Sequence, residues 1–402
     1  MPAWMMLIFG FVAICVMLLL HSYVWRRLVR DTGLPHPWRR VVTAIIIAFA
    51  ISVPITLMGS RLVDAKIGLW LGWPVFVWLG FAILLLLGFL TVDLIRLARW
   101  SVRNGVAKVR KVEPSKDFDP ERRKLFARAA GGAVVVAAAG TSVAGTHAAL
   151  REQEIEEVSV SLSRLPRELD GFTIAQITDV HVGFTVSRSF VQGIVDRVNA
   201  LKPDLVAITG DLVDGDVPTL RDAVAPLAEL SATHGAFFVT GNHEYYSGAD
   251  DWIAELRRLG ITVLFNERVR IGSGEASFDL AGVTDLEGKR HDGHKPDLAR
   301  ALAGRDPSRE LVLLAHQPRF AFQTKGHGVG LQLSGHTHGG QIWPWHYLVK
   351  IQQGGFLAGL QRHGDTQVYT SRGTGYWGPP LRVGAPSEIT RLILRAEGHE
   401  KV

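Results

Sequence analysis

The chain has 402 residues, a hydrophobic fraction of 47% and a formal net charge of +6. This length leaves room for more than one domain, and the mean hydropathy of +0.16 is high for a protein that is soluble throughout. The positive charge belongs to the first part of the chain, because residues 151–402 contain 26 basic and 31 acidic residues. A basic face for nucleic acid is therefore disfavoured, and we expect no nucleic-acid partner. The single cysteine, Cys15, has no disulfide partner within the chain.

The first 150 residues are interpreted as a membrane region. Four apolar runs occupy residues 3–24, 41–59, 69–95 and 129–150. The first three are long enough to cross the roughly 30 Å of bilayer hydrocarbon as helices. The fourth is built from small residues and also fits a buried helix of a soluble domain. We predict an all-α region of about four transmembrane helices over residues 1–150, followed by a second domain over residues 151–402.

Basic residues flank the apolar runs and predict their orientation. Arg and Lys cluster at 25–40 and 96–128, and short basic loops remain on the cytoplasmic side of a membrane. With both loops inside, the 60–68 loop and the domain at 151–402 lie outside the cytoplasm, on a bacterial inner or plasma membrane. Arg122 and Arg123 also resemble a twin-arginine export signal. Residues 122–150 are therefore either a retained span or a cleaved signal.

The second domain alternates predicted strands with predicted helices. Apolar runs typical of buried strands occupy residues 172–179, 205–211, 235–242, 261–266, 277–285, 311–317 and 331–336. Apolar residues with helical spacing occur at 190–201, 220–230 and 251–259. The alternation predicts an α/β fold with largely buried sheets.

Candidate ligand residues follow the ends of five predicted strands. They are Asp179, His181, Asp211, Asn242, His243, His316, His336 and His338. Because ligands in open α/β sheets bind outside the carboxyl ends of the strands, we expect these side chains to converge. Asp, Asn and His suit Mn, Fe or Zn. Two such cations repel each other, and a carboxylate such as Asp211 would bridge them. A pair of this kind clamps a phosphoryl oxygen and generates a hydroxide for in-line attack on phosphorus.

The ordered motifs resemble the calcineurin-like metallophosphoesterase superfamily. The motifs are DVH at 179–181, GD at 210–211, GNHE at 241–244, the histidine of LLAHQP and SGHTHGGQ at 334–341. The GNHE form, SGHTHGGQ and the tail YTSRGTGYWGPPLRVGAPSEI resemble the membrane-associated branch that includes YkuE and YaeI. The resemblance covers about residues 155–395. It implies a four-layer α/β/β/α sandwich of two mixed sheets.

The resemblance also implies roles for the candidate residues around two divalent metal ions. One ion would be held by Asp179, His181, Asp211 and His338. The other would be held by Asp211, Asn242, His316 and His336. The implied catalytic residues are Asp211 and His243. Asp211 would bridge the two ions, and His243 would contact the phosphate and protonate the leaving group. Glu244 replaces the Asp that is common in the superfamily, and we expect its longer carboxylate to orient His243.

Other residues near the motifs are given structural interpretations. Asp214 and Asp216 are expected to line a loop, with a substrate contact as the alternative. Asp285 ends a strand, and a position near the site is the less favoured of its two interpretations. The aromatic residues after the last motif could cover the site, contact lipid or pack within the domain, and packing is the default expectation; they are Trp343, Trp345, Phe356, Tyr376 and Trp377.

The complete ligand series predicts an enzyme, a membrane-anchored di-metal phosphoesterase. Its expected partners are the lipid bilayer and a phosphodiester or a lipid- or envelope-linked phosphoester. The alternative is a pyrophosphatase acting on UDP-2,3-diacylglucosamine in lipid A synthesis, but that substrate is cytoplasmic and conflicts with the predicted topology. A non-catalytic metal-binding sensor would be expected to have lost a ligand. A transporter would need more ionisable residues in its spans than Asp93.

Overall fold

The computed structural model describes residues 3–59, 65–111 and 119–397 of the chain. Apart from residues 63–69, which are grouped with the second unit, it divides between Thr146 and His147 into two compact units. Part of the predicted 60–68 loop, at 60–64, lies outside the described residues.

The first unit is built from helices. Its helices are α1 (Ala3–Trp25), α2 (His36–Gly59), α3 (Ala65–Arg110) and α4 (Pro120–Leu150). Among the described residues, four helical segments are long and apolar enough to cross a membrane, namely Gly10–Arg30, His36–Thr56, Gly72–Arg110 and Pro120–Leu150. Asp93 on α3 accepts a hydrogen bond of 2.7 Å from Tyr23 and forms ion pairs with Arg27 and Arg96.

The second basic segment differs from the predicted loop. Residues 96–110 continue α3, which is 46 residues long. The segment contains alanine, leucine, lysine and arginine and has no proline, so its helix propensity is high. At the next helix, Asp119 Oδ1 accepts hydrogen bonds from the amides of Glu121 and Arg122 at 3.0 and 3.1 Å. This cap starts α4 at Pro120 and not at the predicted residue 129.

The second unit alternates strands and short helices. Its strands are β1 (Glu154–Leu162), β2 (Thr173–Ile177), β3 (Leu205–Ile208), β4 (Ala236–Phe238), β5 (Thr262–Val263), β6 (Glu267–Ser273), β7 (Ala276–Gly282), β8 (Leu311–Leu314), β9 (Leu331–Ser334), β10 (Gly359–His363), β11 (Thr366–Thr370) and β12 (Glu388–Ala396). Its helices are α5 (Arg188–Ala200), α6 (Val217–Val224), α7 (Asn242–Ser247), α8 (Ala249–Arg258), α9 (Leu298–Ala301) and α10 (His346–Gln352).

The strands form two mixed six-stranded sheets. The first sheet has the order β1-β12-β2-β3-β4-β5, and the second has the order β10-β11-β9-β8-β7-β6. Strands β2 to β5 run parallel, as do β7, β8, β9 and β11. The carboxyl ends of the parallel strands therefore share one edge in each sheet, where ligands are expected to bind.

Alternating side chains build the layers. In β3, Leu205 packs into the cluster shared by both sheets, whereas Val206 packs against the helices outside the first sheet. In β8, Val312 joins the shared cluster and Leu313 joins the cluster under α9. This period of two buries both faces of each sheet. The predicted four-layer α/β/β/α sandwich is confirmed.

Candidate metal centre

The candidate ligands lie on the loops that leave the carboxyl ends of β2, β3, β4, β8 and β9. Five of these residues adopt a left-handed backbone conformation, with φ between 50° and 70°; they are Asp179, His181, Asp211, His336 and His338. Residues other than glycine rarely adopt this conformation, and such outliers cluster at functional sites. The loops therefore hold strained backbone where the side chains converge.

One donor group contains Asp179, His181 and His338, whose ligand atoms all lie within 4.8 Å of one another. The Nε2 atoms of the two histidines are 3.1 Å apart. The Asp179 carboxylate is oriented by the amide of His336, which donates to its two oxygens at 3.0 and 2.9 Å. All three donor residues are buried.

A second donor group contains Asp211, His316 and His336, again within 4.8 Å. His316 donates a hydrogen bond of 2.8 Å from Nδ1 to the carbonyl of Thr209. This contact directs His316 Nε2 toward the other donors, 3.1 Å from both Asp211 Oδ2 and His336 Nδ1. Fixing the ring through the other nitrogen is the usual way in which proteins orient a metal-binding histidine.

Asp211 and Asn242 fit the same centre. Asp211 Oδ2 lies 3.1 Å from His316 Nε2 and 3.9 Å from His181 Nε2, so this carboxylate faces both groups. The Asn242 side chain is 8% exposed, and its amide oxygen has no hydrogen-bond partner. A buried oxygen without a donor is costly unless a cation satisfies it. The residues present therefore fit divalent metals.

The protonation of two histidines also favours metal binding. Burial lowers the pKa of His336 to about 3, and the nearby His316 acts in the same direction. Burial likewise holds the pKa of His338 well below its ordinary value, with further contributions from His181 and Arg382. Both imidazoles are therefore neutral at physiological pH, which is the form that binds metal.

Two glycines allow the ligand loops to approach closely. A Cβ at Gly241 would lie 2.1 Å from Asp211 Oδ1, and a Cβ at Gly335 would lie 2.2 Å from Asp179 Oδ2. No side chain fits at these distances, so the glycines in the GN and SGH motifs are required by packing against ligand carboxylates.

Asp214 connects two of the histidines. Its Oδ1 accepts hydrogen bonds from His181 Nδ1 at 3.0 Å and from His243 Nδ1 at 2.6 Å. Burial acts to raise the pKa of Asp214, but the two imidazoles lower it below its ordinary value. Sequence analysis assigned Asp214 to the lining of a loop and missed this contact. Its place in GDLVDG, three residues after Asp211, was the available signal.

His243 lies at the edge of the centre, with its side chain 15% exposed. Its Nε2 atom is 4.0 Å from Asp211 Oδ2, and its backbone amide donates to Asp211 Oδ1 at 2.9 Å. Burial acts to lower the pKa of His243, but the carboxylates of Asp211 and Asp214 outweigh burial and raise it to about 9. His243 also forms a third group of possible ligand atoms with His181 and Asp211, again within 4.8 Å of one another.

Glu244 does not orient His243, contrary to the expectation from sequence. Its carboxylate accepts hydrogen bonds from the amides of Gly241, Asp211 and Leu212 at 2.6, 3.0 and 2.7 Å. Burial and the charge of Asp211 raise the pKa of Glu244 to about 7. The extra methylene lets this side chain reach across to the neighbouring loop, where it holds the backbone that carries Asp211.

Residues beyond the motifs complete the surroundings. The buried Arg382 donates to the carbonyls of Arg372 and Ala385 at 2.8 and 3.0 Å and was not singled out by sequence. Asp285 accepts hydrogen bonds from Gln317, the residue after His316, at 3.1 and 3.0 Å. Asp216 lies in the loop before α6 and caps that helix at Thr219.

The aromatic residues after the last motif divide into two sets. Phe356 and Tyr376 are buried, as expected, at 5% and 1% exposure. Trp343, Trp345 and Trp377 are exposed by about half, so the packing interpretation is wrong for these three.

Comparisons with known proteins agree with this site. Residues 172–340 match the family described as calcineurin-like phosphoesterase. An uncharacterized metallophosphoesterase of Helicobacter pylori is 42% identical over 280 residues, covering 69% of this chain and 74% of that protein. A Bos taurus protein named transmembrane protein with metallophosphoesterase domain is 41% identical over 287 residues, covering 68% and 64% of the two chains. The metallophosphoesterase YkuE of Bacillus subtilis is 32% identical over 250 residues, covering 60% and 86%.

The sandwich, the donor series and these matches define a metal-dependent hydrolase of phosphoric esters. The chain belongs to the calcineurin-like metallophosphoesterase family, and the resemblance drawn from its motifs is confirmed. The His and Asp groups of this family member imply divalent metal ions, and its apolar helices indicate association with a membrane.

Proposed function

We propose that the chain is a membrane-anchored phosphoesterase that uses two divalent metal ions to hydrolyse a phosphodiester or a lipid-linked phosphoester. The observation that carries the proposal is the position of Asp211, whose Oδ2 faces both donor groups at 3.1 and 3.9 Å from their histidine nitrogens. A shared carboxylate offsets the repulsion between two cations at the short separation typical of di-metal sites.

The residues divide between two ions as follows. Asp179, His181, Asp211 and His338 would hold one ion, and Asp211, Asn242, His316 and His336 would hold the other. Oxygen and imidazole donors suit Mn, Fe or Zn. When bound, such a pair supplies Lewis-acid stabilisation of the phosphoryl charge and activation of water for attack on phosphorus.

His243 would act on the substrate and not on the metals. Its Nδ1 is committed to Asp214 at 2.6 Å, and its partly exposed ring borders the donor groups. The N–H of Nε2 would contact a phosphate oxygen and then pass its proton to the leaving group, as a general acid does. Asp214 would hold the ring in the required orientation.

The membrane-linked part of the proposal is supported by the organisation of the chain. Four described helices are long and apolar enough to span a bilayer. The last of them, α4, ends at Leu150, and β1 begins at Glu154. A phosphoesterase attached so closely to a membrane would meet substrates that are themselves held in that membrane.

Metal stoichiometry tests the centre. The full chain, purified in detergent with Mn added, should contain about two metal ions per chain. Asp211→Asn should lower the metal content and reduce turnover by about two orders of magnitude or more, because a bridging charge is lost. Asp222→Asn, at an exposed carboxylate on α6, is the matched control and should retain the metal content and the turnover of the wild type. A wild-type content of one ion or none would contradict the di-metal arrangement.

A substrate comparison tests the ester class. The full chain should be assayed with phosphomonoesters, phosphodiesters, lipid phosphoesters and UDP-2,3-diacylglucosamine at equal Mn. We expect the highest kcat/KM for a phosphodiester or a lipid-linked phosphoester. Preference for UDP-2,3-diacylglucosamine would replace this proposal with the pyrophosphatase alternative.

A further inference from the structure

An exposed apolar surface borders the candidate metal centre. We name it the aromatic rim and define it by Trp343, Trp345, Tyr347, Leu348, Ile351 and Trp377. These side chains are between 47% and 77% exposed. Soluble proteins rarely expose large apolar side chains in a contiguous group unless the group binds something.

The aromatic rim is attached directly to the ligand loops. The Trp377 ring lies 5.6 Å from the His243 ring. The side-chain amide of Gln341 joins the two segments of the rim, because it donates to the Trp377 carbonyl at 2.8 Å and accepts from the Trp377 amide at 3.0 Å. Gly340 packs against α10 so closely that a Cβ there would lie 2.3 Å from the Cα of His346. The rim is therefore held in place beside the mouth of the centre.

The charged residues of the segment that carries most of the aromatic rim are all basic. No Asp or Glu occurs between Glu310 and Asp365, whereas Lys325, Lys350 and Arg362 in this segment are exposed. The exposed Phe322 extends the apolar surface toward Arg362, because its ring lies 4.7 Å from the ring of the adjacent His363. A segment that exposes aromatic, aliphatic and basic side chains is complementary to anionic lipid headgroups.

The residue types of the rim favour a membrane over a protein partner. Tryptophan and tyrosine concentrate at the level of the lipid headgroups, because their rings are apolar with one polar group. Tyr347, Leu348 and Ile351 project from the exposed side of α10, a pattern typical of a helix that lies in the membrane interface.

The short connection after α4 determines what the rim can meet. Only residues 151–153 separate Leu150 from β1, and an extended connection of this length spans roughly 14 Å. If α4 spans the bilayer, the second unit cannot move away from the membrane surface. The nearest large partner for an exposed apolar and basic surface is then the bilayer itself.

We propose that the aromatic rim inserts into the lipid–water interface and places the mouth of the metal centre, beside His243, at the level of the lipid headgroups. This inference rests on the membrane anchoring in the proposed function. It narrows the substrate class to phosphoesters whose apolar part remains in the bilayer while the phosphate enters the centre.

Site-directed spin labelling tests the proposal with the full chain. Cys15 is the single cysteine, so Cys15→Ser provides a background in which one introduced cysteine can be labelled. The chain is reconstituted in bilayers of phosphatidylethanolamine and anionic phosphatidylglycerol. A nitroxide at Ile351→Cys reports whether the rim lies in lipid or in water. The measured quantity is the accessibility of the label to oxygen relative to its accessibility to a water-soluble nickel chelate.

Two reference positions calibrate the measurement. Val136→Cys lies on α4 at a residue that is 73% exposed. Its label gives the accessibility expected in the hydrocarbon of the bilayer. Glu275→Cys lies in the exposed turn before β7, at the end of the second sheet opposite the ligand loops. Its label gives the accessibility expected in water. We expect the Ile351 label to be several-fold more accessible to oxygen than to the nickel chelate when compared with the Glu275 label.

The outcomes separate the inference from the anchoring on which it rests. An Ile351 label as accessible to the nickel chelate as the Glu275 label, with the Val136 label in hydrocarbon, overturns the docking of the rim and leaves the anchoring intact. A Val136 label in water overturns the anchoring, and the docking with it. An Ile351 label in the interface supports the proposal.

Discussion

Asp214 shows how one carboxylate can set the geometry of a whole site. A single oxygen receives the Nδ1 hydrogens of His181 and His243, and these rings have different expected tasks. His181 belongs to the group with Asp179 and His338, and both histidines form a further group with Asp211. In the proposed function only His243 acts on the substrate. The same oxygen therefore couples a metal ligand to the proposed general acid.

Replacing Asp214 with Asn should weaken both contacts. The neutral amide loses the charge that stabilises the two imidazoles, and we expect turnover to fall by about 10–100-fold, the usual effect of losing a partner that orients a metal-binding histidine. Kinetics and metal analysis on the purified full chain measure this loss. Asp216→Asn is the matched control, because Asp216 lies on the same loop but caps α6, where Asn caps equally well. Equal losses in the two variants would show that Asp214 has only a structural role.

His243→Ala separates proton transfer from metal binding. We expect metal content close to that of the wild type and a turnover reduced by about 10²–10⁴-fold for an ester with a poor leaving group. With a good leaving group such as nitrophenolate, protonation matters less and the loss should shrink. The measurement is kcat for both esters in both proteins. The same loss for both leaving groups would leave His243 with phosphate contact alone.

The loop between β4 and α7 shows how tightly the elements constrain each other. Gly241 packs so closely on Asp211 that a Cβ would lie 2.4 Å from its amide nitrogen as well as 2.1 Å from its Oδ1. The carboxylate of Glu244 then ties the amides of Gly241 and Asp211 together. These contacts therefore hold the two loops together.

Gly241→Ala should consequently displace Asp211 and reduce metal content and turnover together, with a lower midpoint of thermal unfolding. Gly193→Ala is the matched control on α5, where a Cβ meets no atom within 4 Å. That change should retain activity and stabilise the helix by up to about 1 kcal/mol, because alanine is the better helix former. Full metal content in Gly241→Ala would mean that the loop relaxes without moving Asp211. Metal analysis and thermal unfolding of both variants distinguish these cases.

The elements that sequence predicted well are those with strong apolar periodicity. The segments that became β3 and β8, LVAI and LVLL, are continuous apolar runs, and a continuous run is the signature of a strand buried on both faces. The segments that became β2 and β9, TIAQI and LQLS, combine apolar residues with polar ones. Residues 190–201 show helical spacing and correspond to α5. The donor residues were found because they follow such runs directly.

Contacts between distant segments could not be predicted in this way. Residue types do not reveal whether Glu244 turns toward His243 or toward the backbone of the neighbouring loop, because both partners lie within reach of its side chain. The exposure of Trp343 and Trp377 could not be predicted from sequence either, because tryptophan is usually buried. Strand β10 was missed because its residues, Gly359–His363, alternate at an exposed sheet edge and lack an apolar run.

At the scale of the whole chain, the unequal distribution of charge leads to a prediction of topology. Arg and Lys cluster at 25–40 and 96–128, whereas no Lys or Arg precedes Arg26. If both basic segments are cytoplasmic, the metallophosphoesterase domain lies outside. A reporter enzyme that is active only outside the cytoplasm should be active when fused at the C terminus. The same reporter should be silent when fused after Lys111.

A cytoplasm-specific reporter provides the reciprocal control at both positions. Activity of that reporter at the C terminus would place the domain inside and would show that α4 is not a span. A UDP-linked lipid would then become the better candidate substrate, because it is available in the cytoplasm.

The pairing of the first and last strands of the second domain has a consequence for its synthesis. Strand β1 pairs over nine residues with β12 and has no other neighbour among the described strands, and β12 also pairs with β2. A nascent chain that has not yet reached Glu388 therefore has β1 unpaired and the edge of β2 open. Such edges are prone to pairing with other chains. During synthesis the domain is therefore open to misassembly until β12 has been made and has paired with β1 and β2. Metal capture belongs to the same late stage, because the donors are spread from Asp179 to His338 and converge only when both sheets have packed.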